Sequence, residues 1–233
     1  MLIYRLPAGT GFLAGRSRCA TCQHNLGIQD LLPIVSYFFL RGKCRYCKTS
    51  ISYRYPLVEA SCGILFVIAS LFFPLFSLIP VSFVLFLLLV MSVIDCDTQQ
   101  INDGLVITIG ITGVVWVLAS LLLPDVFPYA PDWQNALIGA FVGGVPLILI
   151  DKICLIILKK DGFGYGDVKL MTAVGIFLGW QLTILALILA FVSGGVIAAI
   201  LMFSGRATRG TYIAFGPFLA LGAVMALFSG FLF

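Results

Sequence analysis

The 233-residue sequence is 61% hydrophobic and only 10% charged, with a mean hydropathy of +1.12, where a soluble domain carries roughly 25% charged residues. This excludes a soluble globular enzyme, a disordered chain and a nucleic-acid-binding protein, and makes the chain a membrane protein. The net charge of +4 is unevenly placed: residues 1–59 hold eight Lys/Arg against Asp30 and Glu59, and the rest holds six against eight acids.

The chain opens on Met1 to Thr10, which lacks the charged and then apolar regions of a cleavable signal. The apolar scrap ahead of Arg5-Leu6-Pro7 reads as the tail of a helix missing from this chain. Residues 1–56 form a basic polar head. Within it Cys19/Cys22 and Cys44/Cys47 make two Cys-x-x-Cys pairs with 21 residues between Cys22 and Cys44, the spacing of a closed, structural Zn²⁺ site. The competing reading is two disulfides. The surrounding basic residues argue for zinc, because positively charged segments stay in the cytoplasm, where thiols are kept reduced. His24 reads as a polar loop residue, and Cys62, Cys96 and Cys154 as small hydrophobes.

Residues 57–233 are predicted to form an all-α, polytopic transmembrane domain of about seven helices, since roughly 20 helical residues cross the hydrocarbon. The run 57–94 divides at a turn bracketed by Pro74 and Pro80. Asp95 to Asp103 is a polar loop, followed by a span over 104–123, the polar stretch 124–134 and a span over 135–158. The glycine-rich loop 159–167 follows. The run 168–203 breaks near Gly179-Trp180-Gln181, and 212–233 forms the last span. This alternation puts the head and the 95–103, 159–167 and 204–211 loops on one face with every loop Lys and Arg, including Arg206 and Arg209. That face is therefore expected to be cytoplasmic. Gly139/Gly143 and Gly175/Gly179 are spaced for close helix packing.

Most of the ten acids fall at that face; Asp125 and Asp132 lie in an outer loop and read as solvated. Asp95, Asp97 and Asp103 cluster at one helix junction and Asp167 lies at another. Carboxylates apposed in a partly dehydrated site share a proton, one activating water and the other protonating a scissile amide, which is aspartic proteolysis without metal. Glycines 162, 164 and 166 would let the backbone around Asp167 approach an extended peptide, so Gly164 and Gly166 are candidate substrate-binding positions. The alternative is that Asp103 and Asp167 are helix N-caps.

At these residues the chain resembles the bacterial type IV prepilin peptidases. The resemblance rests on Arg5-Leu6-Pro7, the paired cysteines, Pro33-Ile34-Val35-Ser36-Tyr37, Gly42-Lys43-Cys44, Arg54-Tyr55-Pro56-Leu57-Val58-Glu59, Ile94-Asp95 and Gly164-Tyr165-Gly166-Asp167-Val168-Lys169-Leu170, in family order over nearly the whole chain. It implies a GxGD aspartic endopeptidase that cuts the basic leader from prepilins and pseudopilins at the cytoplasmic face of the bacterial inner membrane. It selects Asp95 and Asp167 as catalytic, with Asp97 the rival of Asp95. It also implies N-methylation of the new N-terminus with S-adenosylmethionine, to which Glu59 is a candidate contributor, and an eighth, N-terminal transmembrane helix. Where the family usually has Ile-Pro-Asp this chain has Ile101-Asn102-Asp103, an absence expected to loosen the loop. Two other classes compete: an ion-coupled carrier, favoured only by Asp151 inside a span, and an inactive scaffold docking through its zinc head.

Overall fold

The computed structural model describes residue 3 and residues 17–159, 164–205 and 213–230. Arg5-Leu6-Pro7, Lys160, Asp161, Gly162, Arg206 and Arg209 lie outside the described residues. Among the described residues there are eight α-helices: α1 (Val35–Phe39), α2 (Arg54–Phe72), α3 (Leu75–Thr98), α4 (Asp103–Leu122), α5 (Trp133–Leu158), α6 (Tyr165–Leu178), α7 (Trp180–Phe203) and α8 (Gly216–Ser229). No strand occurs among the described residues. Helices α2, α3, α4, α5 and α7 are long and apolar enough to cross a membrane. Helices α6 and α8, of 14 residues each, reach about 21 Å. The chain divides into two compact units, Met1–Ile68 and Ala69–Phe233.

In the first unit two turns of the same design carry the cysteines. Cys19 N–H donates to His24 O (3.0 Å) and Gln23 N–H to Cys19 O (3.0 Å); the second turn repeats this with Cys44 to Thr49 (2.8 Å) and Lys48 to Cys44 (3.0 Å). Gln23 and Lys48, each directly after a second cysteine, adopt matching positive φ of 56° and 60°. A backbone reversal at each pair points both sulfurs to one side, as a metal knuckle requires. After this, Ile34 starts α1 at φ 62°, costly for a β-branched residue. Its N–H donates to Glu59 Oε2 at 2.7 Å, a charge-assisted bond that fixes the turn to α2.

In the second unit α6 is the centre. It packs on α4 and α5, α7 packs on α8, and α3 packs on α8. The contacts are set by small residues: a Cβ on Gly139 would strike the Gly175 carbonyl, one on Gly143 the Met171 carbonyl, and one on Gly222 the Ala186 carbonyl. Backbone thus meets backbone where lipid offers no hydrophobic drive, and dispersion over close surfaces does the holding. Gly179, at φ 76°, turns the chain sharply from α6 into α7, a conformation open to glycine. Trp180 Nε1–H then donates to Asn135 Oδ1 at 3.1 Å, tying that turn to α5.

Several boundaries differ from expectation: residues 95–98 continue α3 and residues 165–167 begin α6, where loops were expected. The turn is at Phe73-Pro74 alone, and Pro80 lies inside α3. At the sixth helical position Pro80 withholds the N–H that would bond Phe76, a defect membrane helices tolerate through their neighbours. Nor is either candidate acid an N-cap. Asn102 caps α4, accepting from Gly104 N–H (2.9 Å) and Leu105 N–H (3.3 Å), and Gly164 occupies the cap of α6. Asn102 therefore supplies a local constraint at the position where the family usually has proline. Cys96 is exposed at the end of α3 rather than packed as a small hydrophobe.

Candidate active site

Asp95 stands in the last turns of α3 and Asp167 in the first turn of α6, and they are the only acids buried among the described residues, 4% and 7% exposed. Both line one cavity of about 380 Å³, together with Asp103, Tyr165, Lys169 and Phe215. Asp95 Oδ2 accepts the N–H of Gly216 at 3.0 Å, a bond buried at the start of α8. A helix start presents unpaired N–H groups and a partial positive charge, which suit a carboxylate. Gly216 is required sterically as well, since a Cβ there would sit 2.6 Å from Asp95 Oδ2.

The remaining candidates separate clearly. Asp97 is exposed and does not line the cavity. Asp103 borders it but is exposed and pairs with Lys169 at 2.9 Å. Asp151 is half-buried in α5, away from the cavity. Gly164 and Gly166 both line the cavity; a Cβ on Gly166 would fall 2.7 Å from Ile101 Cβ, so this glycine lets the loop before α4 close over α6. Sequence reasoning missed Phe215 and Gly216. Their available signal was Pro217 in the first turn of α8, which marks a helix start but carries no chemistry by itself.

In the first unit the four sulfurs of Cys19, Cys22, Cys44 and Cys47 lie within 4.8 Å of one another, and all four are free thiols. Cys19 and Cys47 sulfurs, from different pairs, are 3.8 Å apart. The Cys47 thiol is lowered to about 6, first by the Thr49 hydroxyl and then by the Thr49 N–H. The Cys22 thiol goes the other way, to about 11: the His24 backbone lowers it, and desolvation and the Cys19 and Cys47 sulfurs outweigh that. Four crowded sulfurs cannot all ionise unaided, and a bound dication removes that conflict, so the donor set fits Zn²⁺. Beside it lies a cavity of about 280 Å³ whose lining includes Asp30, Tyr37, Tyr55 and Glu59. Burial raises the Asp30 carboxyl, but Arg45 (2.7 Å) and the Gly27 N–H (3.1 Å) outweigh it and hold Asp30 below the usual carboxylate range.

Comparison with known proteins gives this geometry a lineage. Residues 1–73 match the Bacterial Peptidase A24 N-terminal domain, and residues 82–199 match the Type IV leader peptidase family. The chain belongs to the type IV leader peptidase family. Among its relatives is a prepilin leader peptidase/N-methyltransferase of Stutzerimonas stutzeri, 37% identical over 96% of this chain and 76% of that protein. Proteins of the same name from Burkholderia pseudomallei and Pseudomonas aeruginosa are 34% identical, covering 97% and 92% of this chain and 71% of each relative. No solved structure matches. In this leader peptidase relative both matched segments contain a cluster described above: the cysteine set lies in the first, and Asp95 and Asp167 in the second.

Proposed function

We propose that this chain is a membrane aspartic endopeptidase of the bacterial inner membrane that removes the basic leader from prepilins and pseudopilins. The observation that carries the reading is the pairing of two buried carboxylates, Asp95 and Asp167, on one cavity. In this mechanism one carboxylate is protonated and the other ionised at the start. The ionised group takes a proton from a water as that water attacks the scissile carbonyl. The protonated group gives its proton to the leaving amide nitrogen, so charge balances without metal. Gly216 N–H, fixed on Asp95 Oδ2, favours Asp95 as the ionised partner and Asp167 as the acid. A substrate with a cationic leader and an apolar helix suits a site at a helix junction, with the head and cavity on the cytoplasmic side. Gly164 and Gly166 are proposed to border the extended peptide.

Cys19, Cys22, Cys44 and Cys47 would hold one Zn²⁺ as a closed structural centre that orders the head. The second activity is methylation of the new N-terminus, for which S-adenosylmethionine supplies the methyl group. A sulfonium cation fits a cavity bordered by carboxylates and tyrosines, and the residues proposed to hold it are Glu59, Asp30, Tyr37 and Tyr55. The test is cleavage of a purified prepilin by the chain and its Asp95→Asn, Asp167→Asn and Asp97→Asn variants, read by mass spectrometry with and without S-adenosylmethionine. Cleavage lost at 95 and 167 and kept at 97, with one methyl group added when the donor is present, is the expected pattern. Cleavage surviving both Asp95→Asn and Asp167→Asn would overturn the mechanism.

A further inference from the structure

The head carries an apolar ridge that neither the cysteine centre nor the cavity beside it uses. In α1, Ser36 and Tyr37 line the head cavity with Leu40, and the Tyr37 hydroxyl reaches Ile51 O at 3.4 Å. The opposite stripe is Val35, Phe38 and Phe39, spaced i, i+3 and i+4 on one helix face. Phe38 is 70% and Phe39 85% exposed, Val35 and Leu32 are each 48% exposed, and Ile28, in the short 3₁₀ turn beside α1, is 85% exposed. A helix that turns its polar side inward and its phenylalanines outward has its amphipathicity inverted for a water-facing domain.

We propose that this ridge is a membrane-surface anchor, with Ile28, Leu32, Val35, Phe38 and Phe39 set into the boundary of the leaflet on the head's side and Arg41 and Lys43 on anionic headgroups. Three observations select lipid as the occupant. The first is depth: Ile34 N–H is bonded at 2.7 Å to Glu59, which lies about 7.5 Å along α2 from Arg54, where that span begins. A short helix clamped there sits at the level of the headgroups. The second is the neighbouring aromatic: Tyr53, 72% exposed, stands at the entry of α2, the place where tyrosines settle at membrane interfaces. The third is charge: Arg41 and Lys43 are exposed directly after the ridge, while the two acids near it are engaged, Asp30 with Arg45 and Glu59 with the Ile34 N–H. Apolar insertion flanked by Lys and Arg is the pattern of interfacial helices, and anionic lipid strengthens it.

The experiment places p-benzoylphenylalanine at position 39 of the full chain, or at the exposed Gln23 of the first cysteine turn as a control, in nanodiscs with or without phosphatidylglycerol. After irradiation the peptide adducts are identified by mass. Position 39 is expected to give phospholipid adducts several-fold above position 23, enriched when phosphatidylglycerol is present. Zinc content checks that each labelled protein is folded. In a second arm Phe38→Ser with Val35→Ser should accelerate amide exchange across residues 32–40 in the same nanodiscs and leave zinc content unchanged. Adducts to a second copy, to the rest of the same chain or to added prepilin in place of lipid would overturn the proposal, as would equal lipid labelling at 23 and 39. None of these readouts needs peptide cleavage, so failure of the anchor and failure of the proposed peptidase chemistry are told apart.

Discussion

Between residues 17 and 68 the head buries one apolar side chain, that of Cys44, whereas the helical unit buries long runs of every inner helix, including nine of the residues of α6. The head is ordered by local turns, each closed by bonds within six residues, and by the convergence of four sulfurs. The helical unit is ordered by contacts between distant segments, with glycines admitting backbone to backbone at Gly139, Gly143 and Gly222. A segment without an apolar core needs another source of folding free energy, and a chelated ion is the usual one. The helical unit needs none, because its surfaces already interlock. Polar chemistry follows the same division: the head acids are held by local partners, Asp30 by Arg45 and Glu59 by the Ile34 N–H, while the two buried acids of the bundle share a cavity to which α3, α6 and the start of α8 contribute.

If the four cysteines hold the proposed Zn²⁺, removing it has the largest expected effect on this contrast. Substituting Cys44→Ser or adding a strong zinc chelator should abolish a one-to-one zinc content and with it the protection of head amides, a loss on the order of 10 kcal/mol in zinc-dependent folds. Thermal unfolding of the helical unit should stay where it was, and a parallel fall in both would show that the two parts are not separately held. Next comes Gly143→Ala, whose new Cβ meets the Met171 backbone. It should destabilise the helices by about 3 kcal/mol, the upper range for overpacking, while zinc content is unchanged. Gly195→Ala, with open space around the new methyl, is the neutral control in the same melting experiment.

Gly216→Ala is expected to act on chemistry more than on folding. The Cβ crowds Asp95 and disturbs the one buried bond that orients it, so kcat for prepilin cleavage should fall roughly tenfold, equivalent to about 1.4 kcal/mol. KM and the melting temperature should change little. The smallest effect belongs to Asp30. Its carboxyl is held below the usual range, so it stabilises the head above that range and the contribution is lost as pH falls through it. Because Arg45 is 44% exposed, Asp30→Asn should weaken head amide protection by at most about 1 kcal/mol at neutral pH. The difference between the two proteins should shrink as pH falls through and below the usual carboxylate range, because a protonated Asp30 and an asparagine behave alike.

The sequence already held the parts whose signals are local. Hydropathy, with breaks near Pro74, in the 95–103 stretch and at Gly179, marks out the helices, though it ends α3 at residue 94, short of Thr98, and the Cys-x-x-Cys spacing marks the four-cysteine cluster. Pro80 misleads because a proline near a helix start resembles a break, and periodicity alone does not report that the first turns of α3 absorb it. Asp95 against Asp97 turns on two residues along a helix, roughly 200° of rotation, which decides burial but leaves little trace in a run so uniformly apolar. Gly216 was invisible for a different reason: its part in the site consists of a backbone N–H and a missing Cβ, and neither has a residue-type signature. Glu59 shows the converse, since a carboxylate at a helix entry reads as a surface charge until its bond to Ile34 is seen.

If Asp95 and Asp167 act as the proposed catalytic unit, a double-mutant cycle on prepilin cleavage will show it directly. Each single substitution to asparagine should lower kcat by roughly 10²–10⁴-fold, the range of positioned acid–base catalysis, with the melting temperature and zinc content retained. The Asp95→Asn/Asp167→Asn double variant should be no slower than the slower single one, because either loss already removes the shared proton transfer. Losses that multiply, or a single variant that still cleaves at the parent rate, would show that the two carboxylates do not act together.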